Sequence, residues 1–500
     1  MSLKKDYSQQ ISKVFQEFHG NFAALASPTL SKQETVTSLY NSINEGIKLE
    51  QSTPRFPWYR VFQFIPRLLL MFTRIGYASL RYRVRSIPED AVVFRTWLVP
   101  RSLTGIELID DYFRQLPKEI SENEKVIITF SSTDIGLLNQ FGRIQRDDNQ
   151  IISYGLLSLL DVVILFWDYV TTALLKCKEE YTLDGVNITA YINQSFLLDY
   201  LEFRSLEAYT EKYKCKKLAQ HKIKTFTYVF ENQSWEKVCC ETLRSHGVRL
   251  IGYQSSGFSP KFLNFFPTEE DSQQHPMPDI LLTVGDSFKR YLMENGQYSI
   301  PLETFAALRF SYPIDGEHYI VQSPSLKIIG RVLYAFPVHI EQYSETIKDL
   351  IQVFGGSDII VDLKLHPLYR LSDVKGDFIL PEDFHIVSDV DMDILRDTYD
   401  CILFNDNSFG IESLLKGVKS YQYSRDGSFD DDRFMSFDLW LVDYQLADLH
   451  KLKTSIQDGS YDKSFKNESV SSYINDMYQP YTCDAFNRFL ELIRQDSSVE

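Results

Sequence analysis

Two segments of the chain carry residues whose types and spacing suit phosphate chemistry. In the first, Asp358-Ile-Ile-Val-Asp-Leu-Lys364-Leu-His366-Pro367, alternation along a strand sends Lys364 and His366 to one face as the strand ends, and Pro367 stops the ladder. A lysine and a histidine so placed can neutralise a phosphate. In the second, Cys401-Ile-Leu-Phe-Asn405-Asp-Asn407-Ser408-Phe-Gly-Ile-Glu412, a buried strand runs into polar residues and enters a helix through Ser408, read as its N-cap. Asn407 adds side-chain donors, Ser408 and the amides near it would take a phosphate, and Glu412, one helical turn on, would accept hydrogen bonds from ribose hydroxyls. Ligands of open α/β sheets bind at the carboxyl ends of strands, so these two strand ends predict a nucleotide site. Each half alone has a plainer reading, a solvated strand end and an ordinary capped helix. The plainer reading leaves the Glu412 carboxylate beside Lys364 and His366 unexplained.

Other residues are placed for proton transfer or sugar contact. Glu231 ends the strand Thr225-Phe-Thr-Tyr-Val-Phe-Glu231, and a carboxylate there can accept a proton from a hydroxyl. Asp134, just past a strand ending near Ser132, is the second candidate base. The alternative for Glu231 is a structural role at the helix start that Asn232 and Gln233 suggest. Arg95 and Trp97, at the end of the first strand, suit an acidic sugar, the arginine by pairing with a carboxylate and the indole by stacking; a Trp buried in the core is the alternative. No metal is expected: Asp430-Asp431-Asp432 reads as a solvated loop, and the six cysteines show neither a CxxC pair nor zinc spacing, as in a reduced, cytosolic protein. Neither a P-loop nor a Gly-rich dinucleotide fingerprint occurs.

These groups must be held by a sizeable framework. At 500 residues the chain has room for two or three domains. A net charge of −16 argues against general nucleic-acid binding. The N-terminal stretch lacks the apolar core of a signal peptide, and no uninterrupted apolar run reaches the length of about 18 residues that a span needs. Residues 151–175 come nearest but contain Asp161 and Asp168, so they are expected to form a core helix. Residues 55–85 hold seven arginines among many large apolar residues and no acid. Two readings stand for that stretch: a helix on the surface of an anionic membrane, or an arginine-decorated helix packed on its own domain.

From Ala91 a βα rhythm begins, with strands at 91–98, 126–132, 225–231 and 248–253 and helices at 105–114 and 235–246. A stretch rich in Pro, Gln and acids at 265–278 reads as a boundary, after which the rhythm restarts at Asp279. The expected organisation is a helical extension over 1–88, an α/β domain over 89–270, a second over 276–440, and C-terminal helices over 441–500 that pack back on the domains. The fold class is α/β, two Rossmann-like doubly wound domains facing a cleft, with an N-terminal helical extension.

The pair Lys-x-His-Pro and Ser-x-x-x-Glu-x-x-x-x-Gly resembles the carboxy-terminal nucleotide-binding domain of GT-B-fold glycosyltransferases, with closest likeness to bacterial sialyltransferase-like and Kdo-transferase-like enzymes that use CMP-activated acidic sugars. Tyr228-Val-Phe-Glu231-Asn232-Gln233-Ser-Trp235-Glu236 and Leu250-Ile-Gly-Tyr-Gln254 are similar to surface-carbohydrate biosynthesis proteins of that fold. The resemblance spans about residues 90–430 and implies a cytoplasmic transferase taking a nucleotide sugar as donor substrate, without a cofactor, and building a lipopolysaccharide, capsule or similar glycan. It places Gln254 beside the acceptor and Arg309, in Ala307-Leu-Arg309, near the donor phosphates. A His that often follows Gly-Tyr-Gln in that family is Ser255 here. A glycan or lipid-linked glycan is the expected acceptor, and contact of 55–85 with the inner membrane would place the protein on its cytoplasmic face. A nucleotide-sugar epimerase of the same fold and a non-catalytic binding scaffold are the alternatives.

Overall fold

The computed structural model describes residues 2–32, 58–103, 105–255, 262–309, 330–337, 340, 343–376, 378–388, 390, 394–405, 407–415, 418–423, 446–458 and 476–495. The chain forms two compact units, the first made of Met1–Ser255, Lys261–Ser311 and Gln479–Glu500, the second of Ser256–Pro260 and Tyr312–Tyr478.

The first unit is built on a seven-stranded sheet with the order β3-β2-β1-β6-β7-β8-β9. Its strands are β1 (Val92–Trp97), β2 (Val126–Ser131), β3 (Gln150–Ile152), β6 (Thr225–Val229), β7 (Arg249–Gln254), β8 (Ile280–Thr283) and β9 (Leu302–Thr304). Every pairing in it is parallel. The central strands are near-continuous apolar runs because helices cover both faces of a doubly wound sheet. A hairpin of β4 (Thr182–Leu183) and β5 (Val186–Asn187) stands apart, turning through Asp184 and Gly185, both at positive φ, as a two-residue hairpin loop requires.

The second unit carries a five-stranded parallel sheet in the order β12-β11-β10-β13-β14. These are β10 (Gly330–Ala335), β11 (Ile359–Lys364), β12 (Phe384–Val387), β13 (Cys401–Phe404) and β14 (Ser420–Gln422). The expected pair of doubly wound α/β folds is therefore present.

Several local expectations are corrected. The first sheet does not stop at 270: β8 pairs with β7 and β9 with β8, so the first unit extends to Ser311. The stretch 265–278 is part of that unit, where Thr268 and Asp271 form a capping box on the short helix Glu269–Gln274. Residues 105–114 form turns rather than a helix, since the Asp110 carboxylate accepts from both Thr96 Oγ1 and the Tyr112 amide and holds the chain against β1. Residues 151–175 divide into the end of β3, a 3-10 turn and the helix Leu159–Val170, capped by Ser158. The Asp430-Asp431-Asp432 run lies outside the described residues.

Both ends of the chain return to the first unit. Ring Phe489 of the last helix, Cys483–Arg494, lies 5.9 Å from Phe94 and 5.6 Å from Phe305. Near the other end, Lys32 donates to Ser8 Oγ and to Asp271, while Ser12 Oγ donates to Asp271 at 2.8 Å. All four side chains are buried. Burial would push the Asp271 carboxyl up, yet Lys32 and then His275 and Lys237 hold it well below the usual carboxylate range. An ion pair this dry ties the N-terminal helix Ser2–Glu17 to the body of the unit.

Removing one partner of such a pair is expected to cost about 3–5 kcal/mol, so Lys32→Met should lower stability by that much, whereas Lys32→Met with Asp271→Leu should recover most of it. Tryptophan fluorescence during urea unfolding reads this, because Trp58, Trp97, Trp167 and Trp235 all belong to the first unit. Since the Asp271 pKa is depressed by folding, the contribution is full above the ordinary carboxylate range and is lost as pH falls through the folded value.

Candidate functional site

In each sheet the strand order reverses beside the first strand of the unit, between β1 and β6 in the first and between β10 and β13 in the second. Such a switch point opens a crevice at the carboxyl ends of the strands.

The second unit's crevice gathers the residues singled out for phosphate. Lys364 is the last residue of β11; it and His366 are partly exposed while Leu365 between them is buried, as alternation requires. The turn after the strand is fixed by Tyr343, whose hydroxyl accepts from the His366 amide at 3.2 Å and donates to the Pro337 carbonyl at 2.6 Å. His366 Nδ1 accepts from the Leu368 amide at 3.4 Å. Across β10, Asn407 Nδ2 donates to the Ala335 carbonyl at 2.8 Å and to the Asn405 carbonyl at 3.1 Å. Asn407 Oδ1 accepts from the Gly410 amide at 3.2 Å. That bond makes Asn407, and not Ser408, the cap of the helix Ser408–Leu415; Ser408 is its first residue. Gly410 lets the helix start close against β13, for a Cβ there would run into the Phe404 ring. Lys364 Nζ lies 5.2 Å from the Phe409 ring, which brings the two motifs together over the end of β10. Glu412 is partly exposed on this helix.

Arg309 belongs to the first unit, after β9, with Nε 3.7 Å from Asp111 and its guanidinium 5.9 Å from the Tyr112 ring. Burial pushes the Tyr112 hydroxyl up to about 12, with Arg309 pulling it down and Glu231 pushing it further up, so all three share one neighbourhood.

The first unit's crevice is organised by Arg95. Its side chain is 1% exposed, its guanidinium lies 3.8 Å from the Trp97 ring and 3.6 Å from the Trp235 ring, and Nη2 bonds Glu207 at 2.7 Å and Glu211 at 3.2 Å. Burial alone would lower its pKa; Glu211 first and Glu207 next hold it above the ordinary value. Arg95 is thus a buried cation held by framework side chains, with the Trp97 ring packed on its guanidinium. Gln254 is fully buried, with Oε1 accepting from the Val284 amide at 3.2 Å to hold β7 to the chain after β8. Asp134 caps the helix Ile135–Phe141 by accepting from the Leu137 amide at 2.9 Å. It is exposed, and its carboxylate is engaged as a cap.

Glu231 lies just past the end of β6. Gln233 donates to its carboxylate, and Trp235 Nε1 donates to Gln233 Oε1 at 2.8 Å. Burial raises its pKa, with Arg95 and the Gln233 hydrogen bond pulling it back. Its backbone is locked from two sides. The Glu236 carboxylate accepts from the amides of Glu231, at 3.0 and 3.2 Å, and of Asn232, at 2.9 Å. Asn232, at φ 54°, donates to the Asn264 carbonyl, and Asn264 donates back to the Glu231 carbonyl. The alternative read for Glu231, a structural role at the helix start, is therefore carried by Glu236 and Asn232, while Gln233 orients the Glu231 carboxylate. A glutamate at the third position of a helix is the signal for Glu236; nothing in the sequence ties Asn264, Tyr112 or Arg309 to this place.

Among the described residues one trio could offer ligand atoms to a metal: Glu211, Cys215 and Cys239, mutually within 4.8 Å. Arg95 and Lys214 already pair with Glu211, and burial holds the Cys239 thiol well above its ordinary pKa, so the trio suits a cation poorly.

No family model and no curated protein matches the chain. Among solved structures, the glycotransferase of kitacinnamycin is similar at 10% identity over 81% of this chain and 99% of its own, with a TM-score of 0.48. The glycosyltransferase SnogD from Streptomyces nogalater is similar at 13% identity over 81% and 100%, TM-score 0.44. UDP-N-acetylglucosamine 2-epimerase from Rickettsia bellii is similar at 11% identity over 81% and 96%, TM-score 0.47.

Two substitutions test how the second crevice is held. Asn407→Ala should cost about 1 kcal/mol through the lost cap, and Gly410→Ala about 1–3 kcal/mol through overpacking against Phe404. Calorimetric unfolding should show Gly410→Ala as the more damaging; a neutral Gly410→Ala would contradict the close helix–strand approach.

Proposed function

We propose that the chain is a GT-B-type glycosyltransferase that moves a sugar from a nucleotide donor to a bacterial surface glycan or its lipid-linked precursor in the cytoplasm. The observation that carries this function is the switch point of the second unit, where Lys364, His366, Asn407 and the start of the helix Ser408–Leu415 converge on the end of β10. Lys364 and His366 neutralise the donor phosphate, the first-turn amides from Ser408 donate to its oxygens, and Glu412 accepts from ribose hydroxyls. Fixed cations aimed at the departing nucleotide stabilise charge as the glycosidic bond breaks. In the first unit Glu231 is the base that removes the acceptor proton; burial raises its pKa toward the working range. The donor is a CMP-activated acidic sugar, on the strength of the Lys-x-His-Pro and Ser-x-x-x-Glu resemblance.

Thermal-shift titration with CMP, CDP, UDP and GDP should show CMP stabilising the protein most; a clear UDP or GDP preference would refute the CMP donor. Lys364→Ala and His366→Ala should each weaken nucleotide binding by about 10–100-fold, the worth of a hydrogen bond to a charged group. Glu231→Gln should lower transfer by about 10²–10⁴-fold while leaving nucleotide affinity unchanged. The rate of the unmutated enzyme should fall as pH drops through a value above the ordinary glutamate range, because only the ionised form accepts a proton. Conversion of the nucleotide sugar without any acceptor would identify an epimerase instead.

A further inference from the structure

The helix Trp58–Arg81 turns Phe64, Leu68, Phe72 and Ile75 inward and leaves Phe62, Ile65, Leu69, Leu70 and Leu80 outside, Phe62 being 81% exposed. Beside it runs the helix Leu159–Val170, with Phe166 5.1 Å from Phe72 and Ser79 Oγ donating to the Leu157 carbonyl. On this second helix Val162, Leu165 and Tyr169 are buried, while Leu159, Leu160, Val163, Ile164 and Trp167 share the outward face, Leu160 at 68% and Trp167 at 60% exposure. Its two acids do not reach that face: Asp161 pairs with Lys217 at 3.1 Å and Asp168 with Lys212 at 3.4 Å, both on the helix Leu206–Gln220. Soluble proteins rarely expose so much contiguous large apolar surface without a partner for it.

Charge identifies the partner. Residues 55–85 contain seven arginines and no acid in a chain whose net charge is −16. Arg67, Arg74 and Arg81 recur every seven residues, so they line one flank of the first helix, and Arg81, Arg83 and Arg85 are exposed where it ends. An arginine flank beside an apolar face with a tryptophan on it matches the layering of a lipid interface, where anionic headgroups lie over acyl chains. A second copy of the chain is disfavoured as occupant, since two-fold pairing sets the face against its own copy, and residues 55–85 offer no acid to the arginines. No described helix is long and apolar enough to cross a membrane, so the contact is in the plane of the surface.

We propose that the first unit docks on an anionic bilayer through the paired outward faces of the helices Trp58–Arg81 and Leu159–Val170, the apolar side chains entering the acyl boundary and the arginines binding lipid phosphates. The docking does not depend on the glycosyl-transfer function. Flotation with vesicles of phosphatidylcholine alone and of phosphatidylcholine enriched in phosphatidylglycerol tests it. The unmutated protein should float with the anionic vesicles, and its fluorescence should shift to the blue, a shift that Trp167→Phe removes. Leu160→Asp with Val163→Asp should reduce binding by at least about tenfold, and Arg81→Glu, Arg83→Glu and Arg85→Glu together should abolish the preference for anionic lipid. These side chains are exposed, so unchanged circular dichroism and thermal midpoints confirm that the variants are folded. Failure of the unmutated protein to float with either vesicle overturns the proposal, as does equal flotation of the Leu160/Val163 variant. A dimer in solution that this variant dissociates, without vesicle binding, would assign the face to a second copy instead.

Discussion

Parallel strand direction is the constraint on which the rest of the molecule depends. When every strand of a sheet runs the same way, every strand-to-helix turn emerges on the same edge, and residues far apart in sequence are delivered to one place without any direct contact between their segments. In the second unit this brings the turn after β11 and the turn after β13 to either side of β10. In the first it brings Glu231, after β6, near Arg95, on β1, and near Tyr112 and Arg309. Strand order therefore decides where the chemistry sits, and side chains decide what it is.

The two crevices are held open by different means. In the second, Asn407 spans from the helix start to β10 and Tyr343 ties the His366 turn to Pro337 through hydrogen bonds. In the first, a buried cation is enclosed by two indoles and two carboxylates. Burying a guanidinium is costly unless each partner stays in place. Arg95 thus couples the packing of β1 to that of the helices bearing Glu207, Glu211 and Trp235, and its charge draws down the raised pKa of Glu231.

Much of the fold was legible because strands and helices carry their own periodicity. The apolar runs at β1, β2, β6, β7, β11 and β13 and the turn residues between them announce a doubly wound architecture. Lys364, His366 and the helix after β13 were legible for the same reason, since alternation and capping are local. What was not legible depends on contacts between distant segments. Asp110 anchors its loop to Thr96, so no helix forms there. β8 joins the first sheet by pairing with β7, and the composition change before it carries no information about pairing. Arg95 looked available because a strand end is usually accessible, and only the positions of Trp235, Glu207 and Glu211 show that it is enclosed. The outward face of the helix Leu159–Val170 was hidden by its composition, which resembles a core helix; exposure belongs to the packed chain.

The central claim is that the Lys364–His366 turn and the start of the helix Ser408–Leu415 form a single nucleotide site. Amide hydrogen exchange of the full chain, measured with and without saturating CMP, tests it most directly. Slowed exchange in both 364–369 and 408–412, lost together in His366→Ala, is the predicted result. Protection at neither segment, or at one without the other, would contradict it.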